Sequence, residues 1–306
     1  MNATAMDGRP QEEERKAVGN RGRPTGAWPG EGQFDLHVHT TASDGIWSPA
    51  RVVREAARLG LAGVAITDHD TVAGIAPALA EAARAGITVV PGVEVGAERD
   101  GEEVHVLGYF VDAGHRGLRR TLLRLQGSRE RRMELMVRRL AGLGMPVSLQ
   151  RVKELAAGGS LGRPHLARAL VEAGYVTSVE EAFARFLERG RPGYVPREHL
   201  TPEQAVELIR QAGGVSVLAH PGLLRDDSFI GDLVACGLAG IEVYYPEHTR
   251  DMVQKYEAMA GRLGLIATGG SDFHGGHGYP AGLGQVTVPA AVVGQLARLA
   301  RAGCGG

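Results

Sequence analysis

Residues 34–49 read Phe34-Asp-Leu-His-Val-His-Thr-Thr-Ala-Ser-Asp-Gly-Ile-Trp-Ser-Pro49, and residues 63–70 read Gly63-Val-Ala-Ile-Thr-Asp-His-Asp70. Each begins as a short apolar run and ends in histidine and aspartate. Between them, residues 49–59 are rich in Ala and Arg, with Ser48 placed to cap a helix and Pro49 at its first position. The pair therefore frames one strand–helix–strand unit. The same alternation continues downstream. Strands are expected at 34–37, 63–67, 88–93, 105–109, 215–219, 241–245 and 265–268. A helix at 75–85 is stopped by Gly86, and another starts at Thr201-Pro-Glu-Gln, a capping sequence. Strands alternating with helices predict an α/β fold built from βαβ units, as a parallel sheet or barrel.

The stretch 113–200 breaks this rhythm. It reads as helix after helix, at 118–143, 149–157, 165–173 and 179–187, and it is rich in arginine. The chain is thus expected to divide into a barrel over 33–112 and 201–306 and a helical insertion over 113–200. Residues 1–32, mixed in charge and lacking apolar periodicity, are expected to form a disordered tail.

Composition narrows the class. A chain of 306 residues, 43% hydrophobic and 23% charged, buries a substantial core. A net charge of -1 argues against a protein that coats nucleic acid. Two cysteines make no disulfide framework and suit a reducing compartment. No run approaches the roughly 20 apolar residues of a membrane span, and no secretory h-region is seen. A cytoplasmic protein without a membrane or obligate protein partner is expected.

Six of the eleven histidines sit beside the strand-like runs, mixed with carboxylates. His37 and His39 alternate on an extended segment and so share one face. Asp44 lies in the turn-like Ala-Ser-Asp-Gly, where an Asx turn would also explain it. His69 follows the second strand within Asp68-His-Asp, and Glu94 follows 89–93 as a further expected strand end. His105 falls within an apolar strand, His220 ends 215–219, and Asp272 and His274 follow 265–268 through Gly-Gly-Ser. Each position alone has a bland reading. Nine imidazole and carboxylate groups at successive strand ends point to a site for several ions such as Zn, Mn or Fe. Asp70 is either a proton-transfer or supporting group, or a helix N-cap ahead of Thr71.

These residues in this order resemble the PHP (polymerase and histidinol phosphatase) family. The resemblance rests on Asp35-Leu-His-Val-His-Thr, Ser43-Asp-Gly, Ile66-Thr-Asp-His-Asp-Thr, Pro91-Gly-Val-Glu, His105-Val-Leu-Gly-Tyr, Leu218-Ala-His-Pro-Gly and Gly269-Gly-Ser-Asp-Phe-His, and spans about 34–288. It implies a distorted (β/α)7 barrel with three divalent ions, manganese first, iron or zinc otherwise. By position, His37, His39, Glu94 and Asp272 would hold the first ion. Glu94 would bridge to a second held by His105 and His220, and Asp44, His69 and His274 would hold the third. Two close cations acidify a bridging water, which supplies the nucleophile for phosphoester hydrolysis.

Chain length and insertion resemble the stand-alone branch that removes the 3′-phosphate of 3′,5′-bisphosphonucleotides or degrades RNA from its 5′ end. Gly162-Arg-Pro-His-Leu-Ala is similar to that branch's Arg-Pro-His segment, so Arg163 and His165 would face substrate phosphate. Ordinary helix initiation at Pro164 is the alternative. Tyr194 and Tyr245 could stack a base, and His248 resembles a position near the pocket. The competing activity is a phosphatase for a small metabolite such as histidinol phosphate. A catalytically dead subunit is disfavoured because all nine ligand positions are filled. An amidohydrolase barrel with a carbamylated lysine is disfavoured because no strand end carries Lys.

Overall fold

A computed structural model of the chain describes residues 32–156, 161–196, 198–275 and 281–303. The tail expected over 1–32 lies outside the described residues except for Gly32. Seven strands correspond to the expected runs: β1 (Gln33–Asp35), β2 (Gly63–Ile66), β3 (Thr88–Arg99), β4 (Glu102–Tyr109), β5 (Val215–Leu218), β6 (Gly240–Tyr244) and β7 (Ile266–Gly269). They are hydrogen-bonded in chain order, and a two-residue strand, β8 (Val288–Pro289), pairs antiparallel with the outer side of β1.

The ring closes just beyond the strands. Val38 bridges Phe273 in parallel: the His39 N–H donates to the Phe273 carbonyl at 2.9 Å, and the Phe273 N–H to that of His37 at 3.3 Å. The result is a nearly closed α/β barrel, with β8 on the seam between β1 and β7. Alternation sorts its side chains. Ala65, Val90, Leu107, Tyr109 and Val217 form an inner cluster. Val64, Ile66 and Val89 pack outward on α1 (Pro49–Arg58) and α2 (Ile75–Ala85). Ser48 caps α1 by accepting from the Arg51 N–H, and Gly86 ends α2 in the left-handed region at φ 72.

Two strands depart from the expected pattern in ways that shape the site. β3 does not end at 93 but runs on to Arg99, so Glu94 lies mid-strand rather than at a strand end. β4 is antiparallel to both neighbours, not part of a parallel set. The cause is the pair Asp100-Gly101, with φ of 49 and 82, which makes a tight hairpin turn between Arg99 and Glu102 and leaves no room for a crossover helix. Because β4 runs the other way, its first half reaches the same end of the barrel as the tips of the parallel strands.

Between β4 and α7 (Pro202–Gln211) the chain forms α3 (Arg116–Gly142), α4 (Leu149–Leu155), α5 (Arg163–Glu172) and α6 (Val179–Ala182). The last expected helix, 179–187, is interrupted: Phe183–Leu187 widens into a π-helical turn, with the Glu188 N–H bonded to the Phe183 carbonyl. Met133, Met136 and Leu140 of α3 join Val152, Leu166, Leu170 and Leu187 in an apolar cluster of their own. Leu118, Leu122 and Leu125, from the first half of α3, pack into the barrel's outer core instead. A helix of 27 residues, roughly 40 Å long, therefore acts as a beam shared by both cores. The helices α8 (Ile230–Ala235), α9 (Arg250–Leu263) and α10 (Ala290–Gly303) complete the outer layer.

Candidate metal centre

Glu94 points into the mouth of the barrel, fully buried, and five histidines surround its two oxygens. Oε1 lies 2.9 Å from His105 Nδ1 and 3.2 Å from His220 Nε2. Oε2 lies 2.9 Å from His69 Nδ1, 3.2 Å from His39 Nε2 and 3.4 Å from His37 Nε2. The strands β1 to β5 and their ends each supply one or two of these groups. Asp272, past β7, brings Oδ1 to 3.3 Å from His37 Nε2 and 3.1 Å from His39 Nε2. Asp44 is the third acid: its Oδ1 is 3.4 Å from His274 Nε2 and 3.6 Å from His39 Nδ1, and its Oδ2 is 3.7 Å from His69 Nε2.

All nine residues singled out in the sequence thus meet at one end of the barrel. The ligand atoms of eight of them fall into three overlapping groups within 4.8 Å: His39, Asp44, His69 and His274; His37, His39 and Asp272; His69, Glu94 and His105. His220 joins them through Glu94, at 3.2 Å. Among the described residues, His37 Nε2, both ring nitrogens of His39, His69 Nδ1, Glu94 Oε2 and His220 Nδ1 are buried without a hydrogen bond. Buried polar atoms left in this way are costly. Facing one another, imidazole nitrogens and carboxylate oxygens are a donor set that fits divalent transition ions.

The electrostatics follow from crowding. Burial pushes the Glu94 carboxyl up, but His69, His105 and His37 more than offset it and hold it well below its ordinary range. Asp272 and Asp44 are lowered in the same way against burial, by His37 and His39 and by His69 and His274 respectively. Burial opposes charge on the histidines too. The acids overcome it at His39 and His105, raised to about 10, but not at His69, which is lowered. So many imidazoles around three acids cannot all be charged.

Part of the chain, 35–136, matches the PHP domain. Over 255 residues the chain is 37% identical to the 5′-3′ exoribonuclease Rnm of Escherichia coli strain K12, covering 79% of this chain and 85% of that protein. The chain belongs to the PHP family. It is 36% identical over 247 residues to the 3′,5′-nucleoside bisphosphate phosphatase of Chromobacterium violaceum, covering 79% and 87% of the two chains. A solved structure from Bifidobacterium adolescentis, described as a metal-dependent phosphoesterase, superposes with a TM-score of 0.78 at 32% identity, over 89% of this chain and 97% of that one. This PHP protein is a metal-dependent phosphoesterase.

Several groups support the PHP site in ways the sequence did not indicate, and one of them, Glu242, carried no expectation at all. Asp68 accepts from the Thr40 N–H at 2.7 Å, the Thr40 hydroxyl at 2.9 Å and the Ser43 hydroxyl at 2.8 Å, and so fixes the loop that carries Asp44. Glu242, fully buried in β6, accepts from His37 Nδ1. The Tyr245 hydroxyl donates to Asp272 Oδ2 at 3.0 Å, and burial followed by the Asp272 charge raises its pKa, so it stays a donor. At 6% exposure Tyr245 is not free to stack a base. A charged residue alone in an apolar strand, as in Gly240-Ile-Glu-Val-Tyr, was the available signal for Glu242. Asp70, His220 and Asp272 all adopt positive φ at this rim, a form of backbone strain that functional sites concentrate.

Asp70 caps no helix, since α2 begins at Ile75. Its Oδ1 accepts from the Gly96 N–H, and its Oδ2 from Arg129 Nε at 3.0 Å and Nη2 at 2.6 Å. Arg163 begins α5, with its guanidinium 5.5 Å from the centre of the Phe183 ring rather than on a solvated face. His165 accepts the Gly162 N–H at Nδ1, which completes the helix start. Both residues line a cavity of about 240 Å³ with Arg129, Arg132 and Arg168, and Asp44, His69 and His105 form its inner wall. His248 uses both ring nitrogens on backbone, at Val243 and Gly222; His199 pairs with Glu98 and His115 caps α3. His277 lies outside the described residues.

Proposed function

We propose that this protein hydrolyses phosphate esters of nucleotides, taking the 3′-phosphate from 3′,5′-bisphosphonucleotides or trimming short RNA from its 5′ end. The observation that carries the reading is the cavity lined by Arg129, Arg132, Arg163, Arg168 and His165, which opens directly on His69, His105 and Asp44. A substrate with one phosphate at the carboxylate–imidazole cluster and a second among the arginines spans the two halves of this site. The two relatives named above act, by their names, on substrates of that kind.

His37, His39, Glu94 and Asp272 would hold one divalent ion, Glu94 with His105 and His220 a second, and Asp44, His69 and His274 a third, with manganese the first choice. Bound ions of this type supply Lewis acidity toward phosphate oxygens and acidify water. The chain's own residues do the rest. Arginine forks match phosphate oxygens and hold the remote phosphate in place. His165 is kept below its ordinary pKa by burial and then by Arg168. With Nδ1 occupied by Gly162, its neutral ring carries its proton on Nε2 and serves as a donor to phosphate. Residues 113–200, as an insertion on the barrel formed by 33–112 and 201–306, bring these groups over the mouth. Asp70 anchors that insertion through Arg129. Two cysteines and a nucleotide substrate suit the cytoplasm.

The test compares 3′,5′-bisphosphoadenosine, a 5′-phosphorylated short RNA and histidinol phosphate with manganese-loaded protein. Turnover of the first two and not the third is expected. Preference for histidinol phosphate would overturn the nucleotide reading. Arg163→Ala should raise KM for the bisphosphorylated substrate roughly 10- to 100-fold, the worth of one charge-assisted hydrogen bond. Its effect on p-nitrophenyl phosphate, which lacks the second phosphate, should be much smaller. An equal effect on both substrates would make Arg163 structural.

A further inference from the structure

β6 is the one strand of the seven-strand ring that neither carries nor leads into any of the nine proposed ligands, yet it buries a carboxylate at the barrel mouth. Glu242 has no exposed surface. It lies in the strand whose neighbours Ile241 and Val243 pack outward into the apolar core, which turns Glu242 into the barrel. One ligand, His37, places Nδ1 3.0 Å from Oε1 and 3.3 Å from Oε2. Another, His220, donates its backbone N–H to Oε2 at 2.8 Å. His220 has a φ of 28, a conformation that costs energy and needs an external restraint.

The contacts divide the His37 ring cleanly. Nδ1 faces Glu242, while Nε2 is buried without a hydrogen bond and faces Glu94 and Asp272. An imidazole that gives Nδ1–H to a carboxylate presents the Nε2 lone pair to whatever lies opposite. His37 and His220 belong to different groups of proposed ligands, and one carboxylate reaches both across 205 and 22 residues of sequence.

We propose that Glu242 is a positioning residue for the metal centre, fixing His37 as the Nδ1–H tautomer and holding the strained His220 turn so that both imidazoles face the ions. This rests on His37 and His220 being ligands. Glu242 touches neither substrate nor the arginine-lined cavity, so its removal acts through the metal sites alone. Glu242→Gln keeps the size and one acceptor oxygen but loses the charge and the second acceptor.

The deciding experiment titrates metal-free protein with Mn²⁺ by calorimetry and measures retained manganese after gel filtration, for unmodified protein, Glu242→Gln and His37→Ala. Glu242→Gln should bind manganese about 10- to 100-fold more weakly, as expected for an outer partner of a ligating histidine, and excess Mn²⁺ should restore much of its kcat. Unchanged affinity and stoichiometry in a folded Glu242→Gln would overturn the proposal. Unchanged manganese binding in His37→Ala would instead overturn the ligand assignment on which it rests. Should Glu242→Gln not fold, nitrogen-15 NMR of the unmodified Zn-loaded protein decides. The His37 signal, identified by its loss in His37→Ala, should show a proton on Nδ1; a proton on Nε2 would overturn the proposal.

Discussion

Glu94→Gln should abolish hydrolysis while leaving the barrel folded. The carboxylate is the common neighbour of five histidines drawn from four strands and their ends, and glutamine preserves its shape but not its charge. Loss of an outer partner of a metal ligand already costs about 10- to 100-fold. Loss of a charge shared by two proposed ion sites should exceed the upper end of that range in kcat, with retained metal falling in parallel. Full activity in this variant would sink the assignment of the site.

The same substitution should change how the metal-free protein responds to pH. In the folded chain, burial opposes charge on His39 and His105, but Glu94 and its fellow acids raise both to about 10. A raised folded pKa means that the native state binds extra protons above the ordinary histidine value of about 6.5. That stability is fully present below about pH 6.5 and is lost as pH climbs toward 10. The urea midpoint of metal-free protein should therefore fall between those limits, and fall less in Glu94→Gln. Since ligating imidazoles must be neutral, metal uptake should also strengthen over the same interval.

Arg129→Met should cost the protein about 3–5 kcal/mol of stability, because it strands the carboxylate of Asp70 without its counter-charge. Asp70 is 1% exposed and the Arg129 side chain 13% exposed, so water compensates little. The pair joins α3 to the loop after His69. Gln126 adds a bond to the Asp70 carbonyl at 3.1 Å, and the Asp70 N–H bonds the Glu94 carbonyl at 2.8 Å. Adding Asp70→Asn should recover much of the loss: asparagine tolerates the positive φ of 52 and still accepts from the Gly96 N–H. A double-mutant cycle in urea measures the coupling. A loss below about 1 kcal/mol in Arg129→Met would mean that the pair behaves like a surface ion pair.

Much of this was legible in the chain because the signals are local. Ser48 and Pro49 start α1, Gly86 stops α2, and the Thr201 and Gln204 side chains cap α7 reciprocally, each through groups only a few residues apart. Most of the nine candidate ligands were legible because a polar residue just past the end of a parallel strand sits at the barrel mouth whatever the rest of the chain does; Glu94, mid-strand in β3, and His105, in the reversed β4, are the exceptions. The hairpin signal Asp100-Gly101 is also local, and without it the pattern reads Glu94 as a strand end and β4 as a parallel strand. His105 shows the consequence. In a parallel strand its place in the first half would have put it at the far end of the barrel, whereas the reversal of β4 sets it beside Glu94.

The sequence by itself determined the strand and helix periodicity, the caps, and the residue types available to bind ions and phosphate. These depend on spacings of two to four residues and on side-chain chemistry. Only the tertiary structure decided which of those groups touch. Val38 meets Phe273 to close the ring, Glu242 meets His37, and Asp70 meets Arg129, across contacts set by strand register and helix docking. A carboxylate in an apolar strand and an arginine on a long helix look alike wherever they occur. What separates a solvated charge from a buried partner is the low-dielectric enclosure that forms only when the whole barrel closes.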